Sequence, residues 1–176
     1  MSPYPSRIVR IVAILLIGLL SGAMVEEYFF LRVILRDFPA ELWLLAHARF
    51  GELHPYTVIP TALLGMLFIG LTFIIDRDVR SPRAVATWIA GIIGLVIGGI
   101  TALVMMPLNE SIAGWAVTGP PANWLEVQER WIELQGVRAV LSTFGFFFLI
   151  VSTQLTDRGR RTAPSDHGAD TGFDTK

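Results

Sequence analysis

The residues best suited to chemistry lie in one stretch near the end of the chain. Trp124, Gln128, Trp131, Gln135 and Arg138 recur at spacings of four and three, so on an α-helix they share one face. That face combines indole rings, amide groups and a guanidinium, which is typical of a pocket wall or of a polar seam between helices. We predict that the two tryptophans and two glutamines bind a substrate.

A second surface of the same kind lies between the first two apolar runs. The segment DFPAELWLLAHARFGELHP predicts a short helix that ends before Pro55. Trp43, His47 and His54 fall on one face of this helix. Because an imidazole is a base near neutral pH, either histidine could remove a proton from a substrate held against Trp43.

Glu26 is a third candidate base. It follows Gly18 and Gly22 at a spacing of four, and small residues at that spacing favour close helix packing. We therefore expect Glu26 to point into the protein, where a buried carboxyl is a stronger base than a solvated one. The sequence leaves open which of Glu26, His47 and His54 acts.

Arg138 carries a guanidinium that could hold an anionic oxygen. Arg138 either pairs with Glu26 at a similar depth or extends to the membrane surface. The tryptophans have an alternative role too, as a belt at the membrane surface. With these side chains, we expect an enclosed chamber at one end of the protein.

We predict no metal site and no cofactor. His47 and His54 are separated by seven residues, or about 10 Å along a helix, so they cannot both bind one ion directly. The chain has no cysteine, which excludes thiolate ligands and thiol nucleophiles from the chemistry.

The composition indicates a membrane protein. Of the 176 residues, 53% are hydrophobic and 16% are charged, and the mean hydropathy is +0.57. The net charge is -1 with scattered basic residues, so no nucleic-acid partner is expected. The expected partner is membrane lipid.

Four apolar runs are long enough to cross about 30 Å of hydrocarbon, and in lipid each must be a helix. We predict an all-α integral membrane four-helix bundle over residues 1–157, with a short extracytoplasmic helical cap from residues 37–54 and 123–135, and a disordered cytoplasmic tail at 158–176. The predicted spans are residues 8–31, 55–75, 85–106 and 136–156.

The basic residues predict the orientation. With four spans, nine Arg and Lys residues fall on the side of the termini and five on the other side. The positive-inside rule therefore predicts a multi-pass cell-membrane protein with both termini in the cytoplasm. A cleaved signal peptide is the alternative interpretation of the first run.

Three short motifs carry a resemblance to a known family. The runs MPLNESIAGW, NWLEVQERW and GVR resemble the anthrone oxygenase-like family of small integral membrane proteins. The resemblance extends over most of residues 10–155, and its most specific part is 106–138. On matching positions it points to Pro107, Asn109, Trp131 and Arg138, while the histidines lie outside the matched motifs.

The resemblance implies four membrane helices and, for a fungal branch, oxidation of anthrones to anthraquinones by molecular oxygen without a recognised cofactor. In that chemistry a hydrophobic aromatic small molecule is the expected partner, and Arg138 and Asn109 would donate hydrogen bonds to the oxygen that becomes negatively charged. Two hypotheses follow for this chain. It is either a membrane oxygenase of a flat aromatic substrate, or a non-catalytic membrane protein that binds a lipid or hydrophobic metabolite or docks a partner.

Overall fold

A computed structural model describes residues 4–54, 56–76 and 79–155. Within these ranges the chain is helical and contains no strand. Two π-helical segments, Leu31–Leu35 and Thr101–Met105, continue the first and fourth α-helices. The predicted tail at 158–176 lies outside the described residues. The α-helices are α1 (Tyr4–Phe30), α2 (Ala40–Leu53), α3 (Val58–Asp76), α4 (Pro82–Ile100), α5 (Met106–Thr118) and α6 (Trp124–Gln154).

Four helical stretches are long and apolar enough to cross a membrane, which confirms the predicted all-α fold with four spans. Three of them extend beyond the predicted bounds. The fourth begins twelve residues earlier than predicted, because the polar face of Trp124 to Gln135 continues without a break into the apolar run. The four stretches are Ser6–Leu35, Val58–Ile75, Pro82–Thr118 and Trp124–Gln154.

The sequence led us to expect that the third span ends near Pro107. In the structure the helix continues past this residue. The Met106 amide donates to the Thr101 carbonyl across the π-helical segment, and Pro107 then occupies the first turn of α5. A proline is tolerated in the first turn, and the wider π turn changes the backbone pairing just before it. Asn109 therefore lies on a regular helix.

Local signals fix the helix limits around this span. The Ser81 hydroxyl accepts a hydrogen bond from the Ala84 amide at 3.2 Å, and Pro82 follows it as the first helical residue. Gly119 ends α5 with a φ of 78°, a backbone conformation that glycine adopts without strain. α6 then runs unbroken from Trp124, through Gly136, to Gln154.

The four spans form a closed ring. α1 packs against α3 and α6, and α4 packs against α6 and α3. Large apolar side chains such as Leu19, Leu95 and Leu103 remain exposed on the outer surface, as expected where lipid surrounds a bundle. α2, α5 and the first turns of α6 lie together with the π-helical segments at one end, which we call the α2 end. The side of the membrane that it faces stays a prediction.

Candidate functional site

Three tryptophans and a histidine surround Trp43 at the α2 end. The centroids of the His47, Trp115, Trp124 and Trp131 rings lie 5.4, 6.4, 6.4 and 6.0 Å from that of Trp43. We call these five side chains the aromatic cluster. It joins α2, α5 and α6, and such ring pairs each contribute about 0.5 to 1.5 kcal/mol beyond the area that they bury.

Asn109 on α5 joins two members of the aromatic cluster. The Trp131 indole N–H donates to Asn109 Oδ1 at 2.8 Å, and His47 Nε2 lies 3.3 Å from the same oxygen. Because an indole nitrogen only donates, this oxygen acts as an acceptor. The hydrogen bond then requires the proton of a neutral His47 on Nε2 and leaves its Nδ1 as the basic atom.

His47 is held in its neutral form. Burial lowers the pKa of His47 below 6.5, and the nearby His54 lowers it further, while the hydrogen bond with Asn109 opposes the shift. His47 is 9% exposed and its ring also packs 5.0 Å from that of Trp131. It is therefore a fixed, uncharged part of the interior.

A second set of polar contacts links α2 to the middle of α6. His54 Nε2 lies 3.4 Å from Glu27 Oε1, the Gln135 amide donates to the same oxygen at 3.1 Å, and Arg138 Nη1 donates to Gln135 Oε1 at 2.5 Å. We call His54, Glu27, Gln135 and Arg138 the polar chain. It connects an imidazole near the surface to a guanidinium inside the bundle.

Arg138 points into the bundle rather than to the membrane surface. It is 8% exposed, and its Nε–H is the one buried side-chain polar atom without a hydrogen-bond partner among the described residues. A buried donor without a partner costs about 1 to 3 kcal/mol, and more on a charged group. Such an atom is suited to hold an oxygen that the protein itself does not supply.

Gln128 has a structural contact at the same end. Its amide lies 3.5 Å from the Leu35 carbonyl, which also accepts from the Phe38 amide at 3.2 Å. Gln128 therefore reaches the end of the π-helical segment that follows α1. Leu31 and Leu35 from that segment pack into the same core as Trp131.

Glu26 does not lie where the sequence led us to place it. Its side chain is exposed, whereas the side chain of Glu27 is 12% exposed and belongs to the polar chain. The buried positions at Leu20 and Met24 of α1 and at Leu31 of the following π-helical segment fit alternating spacings of four and three, and Glu27 completes that pattern. A constant spacing of four from Gly18 moves around the helix by about 40° each step and leaves the buried face. The predicted pair of Glu26 with Arg138 is therefore wrong.

The predicted chamber is also wrong for the side chains that the structure brings together. Trp43 is 1% exposed and Trp131 is 2% exposed, so a water-sized sphere reaches almost none of their surface. Gln128 and Gln135 are buried as well. These side chains fill the interior themselves, and the burial of the two tryptophans also argues against a belt at the membrane surface.

Only His54 among the candidate bases lies both within the polar contacts and near the surface. Its side chain is 29% exposed, and its ring packs 6.1 Å from Phe50. Among the described residues, no three His, Asp or Glu side chains lie close enough to hold a metal ion.

A comparison with protein families identifies the family of this chain. The family model described as anthrone oxygenase matches residues 39–148, which is more than half of the chain. The chain belongs to the anthrone oxygenase family. No curated protein and no solved structure matches the chain.

The anthrone oxygenase segment contains ten of the eleven residues of the aromatic cluster, the polar chain, Asn109 and Gln128. The exception is Glu27, which lies on α1 before the match begins. Sequence reasoning missed Glu27 and Trp115. The alternating spacing of Leu20, Met24, Glu27 and Leu31 was the available signal for Glu27. Trp115 follows Ile112 by three, and these are the two buried positions of α5.

Proposed function

We propose that this protein is a membrane oxygenase that converts a flat aromatic compound of the anthrone class to the corresponding quinone with molecular oxygen. The observation that carries the proposal is the polar chain. It links His54, a base within reach of the surface, to Arg138, a cation with a free buried N–H. The family and the four candidate membrane spans support the same reading.

The first step is the removal of a proton from the methylene carbon of the anthrone. His54 takes the proton, and the electron pair of the C–H bond moves through the ring to the carbonyl oxygen. Arg138 stabilises the negative charge on that oxygen through its Nε–H. A donor of this kind typically contributes about 3 to 4 kcal/mol to a transition state.

An anthrone needs its base and its donor at two separate positions. In an anthrone the carbonyl and the methylene carbon lie on opposite sides of the central ring. The base and the donor must therefore stand apart by the width of a ring plus one hydrogen bond at each end. Between His54 and Arg138 lie the two side chains of Glu27 and Gln135.

Oxygen then completes the reaction. The electron-rich carbon forms a bond to O2 and gives a hydroperoxide after protonation. Loss of the remaining hydrogen of that carbon as a proton breaks the O–O bond and releases water. One oxygen atom becomes the new carbonyl and the other becomes water, so one anthrone and one O2 give one anthraquinone and one H2O.

His47 is the less suitable base. It is packed between the rings of Trp43 and Trp131, and its Nε2 is engaged with Asn109. Buried indoles therefore hold its ring on two sides. We assign His47, Asn109 and Trp131 to the support of the site, and the partly exposed Trp124 to contact with the substrate.

The test is oxygen uptake by the purified protein with a simple anthrone, in His54→Asn and Arg138→Gln variants. We expect each substitution to lower the enzyme-dependent rate about 100-fold, the effect typical of losing one aligned donor or one general base. Arg49→Ala is the matched control, because Arg49 is also charged and on α2 but pairs with the exposed Glu52. A wild-type rate equal to that of the detergent alone would overturn the proposal.

A groove between α1 and α6 favours a second candidate, the binding of a lipid or hydrophobic metabolite without catalysis. Its volume is about 220 Å³ and its walls are almost wholly apolar. Phe29, Val140 and Phe144 on its rim are exposed. Photocrosslinking of the protein in vesicles with a diazirine-bearing fatty acid tests this role, and labelling confined to other surfaces would contradict it. The groove is lined by Val25, Tyr28, Phe29, Gly136, Ala139, Val140, Thr143 and Phe144.

A further inference from the structure

We propose that Glu27 is the positioning residue of this site: its carboxylate fixes the ring of His54 and, through Gln135, the guanidinium of Arg138. The inference rests on the proposed function and adds a residue that lies outside the matched family segment. Glu27 touches neither the substrate nor oxygen in this account.

One oxygen of Glu27 serves both partners. Oε1 accepts from Gln135 Nε2 at 3.1 Å and lies 3.4 Å from His54 Nε2. The carboxylate is on α1, the amide on α6 and the imidazole at the end of α2. Glu27 is therefore the point where three separate helices meet at the site. A carboxylate at that depth in a span needs such partners, because an unpaired charge in lipid is costly.

The contact decides which nitrogen of His54 takes the proton. A carboxylate oxygen only accepts hydrogen bonds, so Nε2 of His54 carries a hydrogen when it faces Glu27. The lone pair of the neutral ring then lies on Nδ1. A carboxylate orients a histidine base in the same way at other catalytic sites.

Gln135 connects Glu27 to Arg138 through the two ends of its amide group. Its NH₂ group faces the carboxylate and its oxygen faces the guanidinium, and the reverse orientation would place donor against donor. A direct pair between Glu27 and Arg138 would use more of the donors of the guanidinium. The intervening amide leaves the Nε–H of Arg138 without a partner and available to a substrate oxygen.

The kinetic test compares Glu27→Gln with Glu26→Gln, the same change at the exposed neighbouring position. For Glu27→Gln we expect kcat with an anthrone to fall 10- to 100-fold while KM changes less than about threefold, since the substrate contacts remain. Glu27→Asp should recover part of kcat. Glu26→Gln should match the wild type. Equal kcat values for Glu27→Gln and the wild type would overturn the inference.

A spectroscopic test separates this inference from the proposed function. The chain has three histidines, so ¹⁵N-histidine NMR of the full protein, assigned with His47→Asn and His167→Asn, reports the tautomer of His54. We expect the Nε2–H form in the wild type and a loss of that preference in Glu27→Leu.

If the wild type does not oxidise anthrones, the proposed function fails and this spectrum still decides the role of Glu27. A wild-type ring protonated on Nδ1, or a tautomer unchanged in a folded Glu27→Leu protein, overturns it. Should Glu27→Leu not fold, the wild-type spectrum and Glu27→Asp decide.

Discussion

Replacement of Asn109 by alanine should destabilise the α2 end by removing one acceptor from two buried donors. The indole N–H of Trp131 donates to Asn109 Oδ1 at 2.8 Å, and His47 Nε2 lies 3.3 Å from it. Trp131 is 2% exposed and His47 is 9% exposed, so water does not readily replace the lost oxygen. Each orphaned donor costs about 1 to 3 kcal/mol. The free energy of unfolding should therefore fall by about 2 to 6 kcal/mol.

A double-mutant cycle with Trp131→Phe separates the hydrogen bond from the packing. In the Trp131→Phe background one orphaned donor no longer exists, so Asn109→Ala should cost about 1 to 3 kcal/mol less than in the wild type. A coupling energy near zero would show that Asn109 and Trp131 do not depend on each other.

The unfolding free energy can be measured by SDS titration in mixed micelles, with the fluorescence of the aromatic cluster as the signal. Thr118→Ala is the matched control, because Thr118 is an exposed residue of the same α5 helix whose hydroxyl donates to the Gly114 carbonyl. We expect less than about 0.5 kcal/mol from this control. An Asn109→Ala protein as stable as the control would refute the description of Asn109 as a buried shared acceptor.

Three further predictions concern pH, packing and topology. Because burial lowers the pKa of His47 below 6.5, the unfolded chain takes up a proton first as the pH falls. The contribution of neutral His47 to the free energy of unfolding is fully present above about pH 6.5 and decreases as the pH falls through the folded-state pKa. An unfolding free energy that stays constant from about pH 8 to pH 5 would contradict this prediction. Gly136→Ala should lower the free energy of unfolding by about 1 to 3 kcal/mol, because the new Cβ would lie 2.7 Å from Tyr28 Cε2. An unfolding free energy equal to that of the wild type would show that the Tyr28 ring moves away freely. Since the chain lacks cysteine, single cysteines at the exposed Glu52 and Val79 positions should react from opposite sides with an impermeant maleimide, Glu52→Cys from outside the cell and Val79→Cys only after lysis.

Much of the helical arrangement could be predicted because lipid restricts the secondary structure that a membrane-crossing segment can adopt. A run of apolar residues that crosses hydrocarbon must be a helix, and the spacing of Gln128, Trp131, Gln135 and Arg138 then places them on one face, where the structure buries all four. These inferences need only the period of the helix and the polarity of the side chains.

Details that depend on neighbouring helices could not be predicted in the same way. Glu26 and Glu27 differ by about 100° around the helix, and the packing partners on α2 and α6 decide that Glu27 faces inward. The π-helical segment before Pro107 has no simple sequence signal, so the continuation of the third span into α5 was missed. The filled interior follows from how closely Trp43 and its neighbours pack, which spacing along one helix does not determine.

In the proposed function, His54 and Arg138 act on one substrate as a unit. The most direct measurement is the anthrone-dependent oxygen uptake of His54→Asn, Arg138→Gln and the double variant, with detergent alone subtracted. If both groups serve the same proton-removal step, the double variant should be about as slow as the slower single variant. Two single variants that each retain the wild-type rate, or a double variant as slow as the product of two independent losses, would show that His54 and Arg138 do not act as a unit.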